Sequence, residues 1–291
     1  MKKILFLINP IAGGKSVDKT NLVEQIKTNL AQGTDYEIKI WESLSQNDEI
    51  IAMIQSGNYS KIVAAGGDGT INFVAKAAMK AGIPIGIIPL GSGNGLARHL
   101  GIPLKTVDAI KNISSGKVIS IDTGLINGNV FLCTAGAGFD VLIGDLFSRS
   151  TGRGLFNYAK MTIQQLVNYK PNEYTIVFNG QTLKRKAFIL CFANVNQYGN
   201  NTYIAPQADL QDGFLDICII KPFNALQFWG IGIRIFNKTI TKSPQYEYYK
   251  TKKAELYFES KDPVHFDGEP AQLGNKLEIE VQPASLGIVV P

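Results

Sequence analysis

The feature that most constrains this chain is a rhythm that stops partway. From the N-terminus to about Asp122, short apolar runs alternate with helical stripes. "KILFLIN" precedes Leu22, Ile26 and Leu30, spaced i, i+4, i+8; "YEIKIW" precedes Ile50, Ile51 and Ile54; "KIVAA" precedes Ile71, Val74, Ala75 and Ala78; "IPIGIIP" leads to a helix opening near Ser92. Apolar strands each followed by an amphipathic helix predict a parallel sheet covered on both faces. The ligand of such a sheet sits beyond the carboxyl ends of its strands.

After Asp122 the pattern changes to paired strands. "IDTGLINGNVFLCTAG" and "YTIVFNGQTLKRKAFILCF" each carry Asn-Gly, at Asn127 and Asn179, a hairpin signal. Further strands read at "FLDICII", "AELYFES", "PVHFDGE" and "KLEIEVQ", with helical insertions near 153–168 and 224–238. The expected architecture is a parallel-sheet α/β domain over 1–122 and a mostly antiparallel β-sandwich over 123–285. The terminal run "LGIVV" is a candidate to return to the first domain, at 286–291.

Composition narrows the function classes. With 291 residues, 45% apolar and 18% charged, the chain can bury a sizeable core. The first apolar run, Ile4 to Ile8, ends in Asn-Pro and is too short for a secretory leader. No stretch reaches the roughly 18 apolar residues of a spanning helix. Cys133, Cys191 and Cys218 sit singly within apolar runs, which argues against a disulfide framework or zinc site and for a reducing cytoplasm. The net charge of +5 comes without a base-stacking or groove-reading motif, so nucleic acid is not an expected partner. The excess suits an anionic membrane surface.

Three strand ends carry glycine turns: "NPIAGGKS", "GGDGT" and "PLGSGNG". Glycine lets main-chain N–H groups approach a phosphate, and a helix N-terminus behind the turn favours negative charge. Thr70 and Ser92 would add hydroxyl donors in the first helical turns. "NPIAGGKS" fails as a Walker A loop, because Asn9 stands where glycine is required. Asp68, inside "GGDGT", would repel phosphate unless a divalent cation lies between or it meets nucleotide hydroxyls. Its plainer reading is a helix N-cap. Two residues apart in "VHFDGEP", Asp267 and Glu269 would share one side of a strand and push one pKa up, as a general base requires. "ADLQDGFLDI" offers Asp209, Asp212 and Asp216 around Gly213, a spacing that misses the EF-hand and reads first as a surface turn. His99 and His265 stand alone in apolar settings and read as structural.

These motifs, in this order and covering nearly the whole chain, resemble the diacylglycerol kinase catalytic-domain superfamily, which includes bacterial lipid kinases and sphingosine kinases. The residues that carry the resemblance are "NPIAGGK", "GGDGTIN", "PLGSGNGLAR", "DLQDGFLD" and "HFDGEP". The resemblance implies a NAD kinase- and phosphofructokinase-like nucleotide domain, a β-sandwich lipid domain, and ATP-dependent phosphorylation of a lipid hydroxyl in the cleft between them. It implies ATP contacts from Asn9, Pro10 and Gly13, from Gly66, Gly67, Asp68, Gly69, Thr70 and Asn72, and from Ser92, with Ser43 added. Asp68 would organise ATP and its Mg²⁺, and Glu269 with Asp267 would accept the hydroxyl proton. A structural Mg²⁺ site would take the Asp212 side chain and the carbonyls of Asp209 and Phe214. Lys15 and Arg98 are the candidate phosphate cations.

One departure concerns substrate. Many bacterial diacylglycerol kinases carry Asp where Gly95 closes "GSGNG", so this version is closer to sphingosine and ceramide kinases and to assorted bacterial relatives of unknown substrate. A NAD kinase-like enzyme, suggested by "GGDGT" alone, and a catalytically silent nucleotide or lipid sensor are the competing readings. The partners expected are a membrane lipid and a peripheral membrane surface, with a homodimer as one family assembly. The place expected is the cytoplasm, transiently at the inner face of the membrane. Two apolar segments with cationic margins, 223–238 and 152–161, are candidates to meet that membrane, against the plainer reading that each packs on the sandwich.

Overall fold

A computed structural model describes residues 2–10, 18–142, 169–259 and 263–291. The helical insertion expected near 153–168, the segment 152–161, Gly13 and Lys15 lie outside these. The chain divides into two compact units, 1–121 with 284–291, and 122–283.

The first unit runs β1 (Lys3–Ile8), α1 (Lys19–Asn29), β2 (Tyr36–Ile40), α2 (Asn47–Ser56), β3 (Tyr59–Gly66), α3 (Asp68–Ala81), β4 (Ile85–Pro89), α4 (Gly95–His99) and α5 (Thr106–Ser115). Its strands pair in the order β2-β1-β3-β4, all parallel. The continuous apolar runs follow from coverage on two sides. Ile4, Phe6 and Ile8 pack with Leu22 and Ile26 of α1 and Ile110 and Ile113 of α5. Leu5 and Leu7, of opposite parity, are equally buried. α3 ends at Gly82, whose φ of 64° is the left-handed conformation that glycine adopts without a steric cost.

Between the units β5 (Lys117–Ile126) leads into β6 (Asn129–Phe131), β7 (Thr134–Gly138), β8 (Asn172–Phe178), β9 (Gln181–Ala187), β10 (Ile189–Ala193) and β11 (Leu215–Ile220). There follow α6 (Ala225–Phe236), β12 (Tyr246–Thr251), β13 (Lys253–Phe258), β14 (Val264–Phe266), β15 (Glu269–Ala271) and β16 (Lys276–Val290). One antiparallel sheet has the order β12-β11-β10-β7-β14-β15. Facing it are β8, β9, β13 and the first part of β16, also antiparallel.

Alternation decides the layering. Leu190, Phe192, Ile217 and Ile219 point into the sandwich against Tyr174, Ile176, Leu256 and Ile279. Their neighbours Ile189, Cys191, Cys218 and Ile220 point the other way, where Ile231 of α6 and Ile240 cover them. The second unit is therefore a sandwich with a helical layer on one outer face. Cys191 and Cys218 face each other across β10 and β11 as free thiols, and burial pushes the pKa of both upward.

"KLEIEVQ" and "LGIVV", read as separate strands, are one strand of 15 residues. Its start pairs with β13, and Ile288 near its end pairs parallel with Ile85 of β4. A β12 strand at "YEYYKT" was not predicted, because its residues are all but one half-exposed and its lysine resembled surface charge.

Candidate active site

The parallel strands of the first unit end level. Ile8 of β1 lies opposite Ile40 of β2 and Ala65 of β3, and Gly66 of β3 lies opposite Pro89 of β4. The turns after all four strands therefore emerge at one edge, where a ligand of such a sheet binds.

These turns are tied to one another. Asn9 donates from Nδ2 to Thr70 Oγ1 at 2.9 Å, joining the turn after β1 to the start of α3. Thr70 sits directly over Gly66, where any Cβ would stand 2.5 Å from its side chain, so only glycine fits. A Cβ on Gly91 would stand 2.7 Å from Gly67 Cα, so the two glycine turns are in main-chain contact. Asn94 closes its own turn: Nδ2 donates to the Gly91 carbonyl at 2.8 Å, and Oδ1 accepts from Gly91 N–H at 3.1 Å. Asn94 holds φ at 50°, a left-handed conformation tolerated by asparagine.

Asp68 is the keystone. It is the first residue of α3, after an N-cap, Gly67, that has no side chain to contribute. Its carboxylate instead accepts from Asn94 N–H at 3.0 Å and Gly95 N–H at 3.1 Å. The N-cap reading from sequence thus identified the kind of bond but not the helix, since these amides open α4. The same geometry corrects the expectation for Ser92. α4 begins at Gly95, after the left-handed Asn94, so Ser92 is an exposed turn residue rather than a first-turn donor. Pro10 and Asn72 are buried, Gly69 is exposed, and Thr70 is 5% exposed. Ser43 caps a short 3-10 turn, accepting from Ser45 N–H at 3.2 Å. Trp41 anchors that turn by donating to the Ser43 carbonyl at 2.9 Å and packing on Phe73 of α3. Arg98 donates to the Gly93 carbonyl at 3.0 Å, bracing the third turn.

In the second unit the pair Asp267 and Glu269 departs from expectation. Asp267 is not on a strand: with φ 51°, followed by Gly268 at 84°, it forms the two-residue turn between β14 and β15. Left-handed values at both positions mark a hairpin turn, and they break the alternation that would have set the carboxylates side by side. The Asp267 carboxylate accepts from the N–H groups of Leu132, Cys133 and Thr134 at 2.8, 2.7 and 3.2 Å. Glu269 opens β15 and is exposed.

The loop before β11 holds the remaining acids. Asp209 accepts from Gln211 N–H at 2.9 Å and Asp212 from Phe214 N–H at 3.0 Å. The other Asp212 oxygen contacts the Lys250 ammonium. Sequence reading passed over Asp122, which is 3% exposed and accepts from Gly213 N–H at 2.7 Å. It also passed over Asp140, which accepts from the Tyr198 hydroxyl at 2.8 Å and lies 3.3 Å from His265 Nε2. Neither sits in a glycine motif, and only tertiary contact reveals them.

Two family models match the chain: the diacylglycerol kinase catalytic domain over residues 3–126 and the YegS C-terminal NAD kinase beta sandwich-like domain over residues 133–290. The chain belongs to the diacylglycerol kinase catalytic-domain superfamily. It is 28% identical over 279 residues to the diacylglycerol kinase of Bacillus subtilis, covering 92% of this chain and 90% of that protein. It is 25% identical over 290 residues to a Chromohalobacter salexigens protein named "Probable lipid kinase YegS-like", covering 97% and 92%. A Bacillus anthracis structure described as a diacylglycerol kinase superposes with a TM-score of 0.75 at 20% identity, covering 100% of this chain and 97% of its own. At that identity the likeness carries the fold.

Membership of this kinase family supports a phosphotransferase and implies the use of ATP, typically with Mg²⁺. The chemistry at the edge of the parallel sheet suits a Mg²⁺-nucleotide: the start of α3 suits phosphate, and the two Asp68 oxygens, each accepting one N–H, keep further lone pairs for a hard cation. In the loop 209–214 the Asp212 side chain, the one expected to hold a structural Mg²⁺ together with the carbonyls of Asp209 and Phe214, contacts the Lys250 ammonium. Among the described residues no helix is long and apolar enough to cross a membrane.

Proposed function

We propose that this protein transfers the γ-phosphate of ATP to a hydroxyl of a diacylglycerol-like or sphingoid lipid, at the inner face of the membrane. The turns after β1, β3 and β4 hold the nucleotide. Asp68 fixes the geometry of that floor and faces the nucleotide's cation, which supplies charge neutralisation when bound. Glu269 takes the proton from the lipid hydroxyl as its oxygen bonds to phosphorus and the bond to the ADP oxygen breaks. Asp267 positions the hairpin that carries Glu269. Positioning and charge neutralisation are most of what phosphoryl transfer asks of a protein.

The observation that supports this reading most directly is the bond from Asp68 to the amides of the next turn, which ties two glycine turns into one floor and holds a carboxylate at its centre for the nucleotide's cation. A test is incubation with labelled ATP and a panel of diacylglycerol, sphingoid base, ceramide and monoacylglycerol. Label should pass to at least one lipid. Glu269→Gln should lower kcat by about 10²–10⁴-fold, the usual range for losing a general base, while ATP binding persists. Full lipid-stimulated turnover in that variant removes Glu269 from the role. The second matched model carries NAD kinase in its description, so NAD belongs in the same panel. Label entering NAD and no lipid would favour a soluble substrate.

A further inference from the structure

α6 is apolar on two faces, and the fold uses one of them. Ile231 is 6% exposed and packs under the helix, with Ile235 beside it. On the opposite side Trp229, Ile233 and Phe236, spaced i, i+4, i+7, are 66%, 62% and 61% exposed. No other helix among the described residues shows such a row. The helix is well anchored where it stands: Asn224 and Gln227 form a reciprocal capping box, each accepting from the other's N–H at 3.0 Å. Its bare stripe is therefore a feature of a formed helix.

Charge indicates what the stripe meets. Between Ile217 and Tyr246 the chain holds Lys221, Arg234, Lys238 and Lys242 and no acidic residue. Lys221 is partnered by Glu247 at 3.4 Å. Lys238 lies over the Tyr203 ring at 4.5 Å, and Arg234 reaches the Thr239 carbonyl. A tryptophan-bearing apolar face with cationic margins is the pattern of a helix lying in a bilayer interface, and 12 residues are too few to cross one. A second copy of this chain fits poorly, because a two-fold contact would bring the same cations against each other.

We propose that α6 is an interfacial helix that seats the protein on an anionic lipid surface. Trp229, Ile233 and Phe236 enter the head-group boundary, and Arg234, Lys238 and Lys242 meet the lipid charges. The purpose of this contact rests on the lipid-kinase reading, but the contact itself can be measured without turnover.

The full chain is sedimented with vesicles of phosphatidylcholine, alone or with phosphatidylglycerol, while tryptophan emission is recorded. Of the two tryptophans Trp41 is buried at 7% exposure, so a blue shift on vesicles reports Trp229. Binding should require phosphatidylglycerol and weaken with salt. The combined variant Trp229→Ser, Ile233→Ser, Phe236→Ser should fold, since all three are exposed, and should lose about 100-fold or more in partition. Arg234→Gln with Lys238→Gln should lose roughly tenfold on the anionic vesicles only. Equal sedimentation of wild type and the triple variant overturns the proposal. So does a concentration-dependent dimer in solution that the triple variant abolishes, which would assign the face to a second copy. Turnover on a short-chain lipid dissolved as monomers reads the kinase assignment separately. If wild type binds vesicles but phosphorylates no lipid, the catalytic reading fails and the surface stands.

Discussion

Asp68 and Asp267 occupy similar words in the sequence, "GGDGT" and "HFDGEP", and they do related work in different units. In both, an aspartate before a glycine turns its carboxylate onto main-chain amides of a neighbouring turn. The local backbones are unlike. Asp68 begins a 14-residue helix, whereas Asp267 takes a left-handed φ and bends a hairpin. Asp-Gly by itself therefore does not say helix start or strand reversal; the flanking strands decide. What the two share is an acid used to pin one loop to another, with its position set by backbone rather than by a mobile side chain.

Truncation separates them. Asp267→Ala removes the acceptor of three partly buried amides, 132–134, and should destabilise the chain by about 4 kcal/mol, read from the midpoint of urea unfolding. Asp68→Ala frees two partly buried amides rather than three and should cost less stability, while turnover falls further than for Asp267→Asn, which keeps one acceptor oxygen. A loss of stability larger at Asp68 than at Asp267 would reverse the comparison and make Asp68 chiefly structural.

Much of this was legible beforehand. The β1 to β4 series, the level strand ends and both Asn-Gly hairpins follow from apolar runs and turn residues, which are local signals. Asp68 stood out in the sequence as a carboxylate among glycines, but its partners belong to a turn 26 residues away. The pairing of Asp267 with Glu269 was misjudged, because a single positive φ cancels strand alternation. Lys250 was invisible as a partner of Asp212, since only the β11–β12 register brings it there. Long-range partners of polar groups are what periodicity cannot encode.

Asp216 extends the comparison to an acid without such support. It is fully buried, accepts from the Tyr248 hydroxyl at one oxygen, and has no partner at the other. Desolvation raises its pKa from 3.8 to about 6. An acid with a raised folded pKa binds its proton more tightly when folded, so stability falls as pH rises from about 4 to about 6 and stays lowered above. A shift of this size corresponds to about 3 kcal/mol. Asp216→Asn should therefore be the more stable protein at pH 7.5, with the gain shrinking to nothing near pH 4. Parallel melting curves for the two proteins across that range would contradict a charged, poorly partnered Asp216.

Asp212 represents the remaining way to settle an acid, by a cation from the same chain. Lys250 lies opposite Asp216 in the β11–β12 register and contacts Asp212; burial is the largest single effect and lowers its pKa, but Asp212, Asp216 and Asp209 together outweigh it and leave the pKa raised. Both partners are partly exposed, so solvent screening keeps the pair modest, at about 1 kcal/mol. Lys250→Met should lose that amount at pH 7.5 and regain it when millimolar Mg²⁺ is added, because the vacated carboxylate becomes a place for a hard cation. Wild type should melt at the same temperature with Mg²⁺ or with a chelator, provided no nucleotide is present. A chelator that lowers the wild-type melting temperature would show that this loop depends on a metal ion after all. Lys250→Met combined with Asp212→Asn should need no metal, since the substitution removes the charge that called for one.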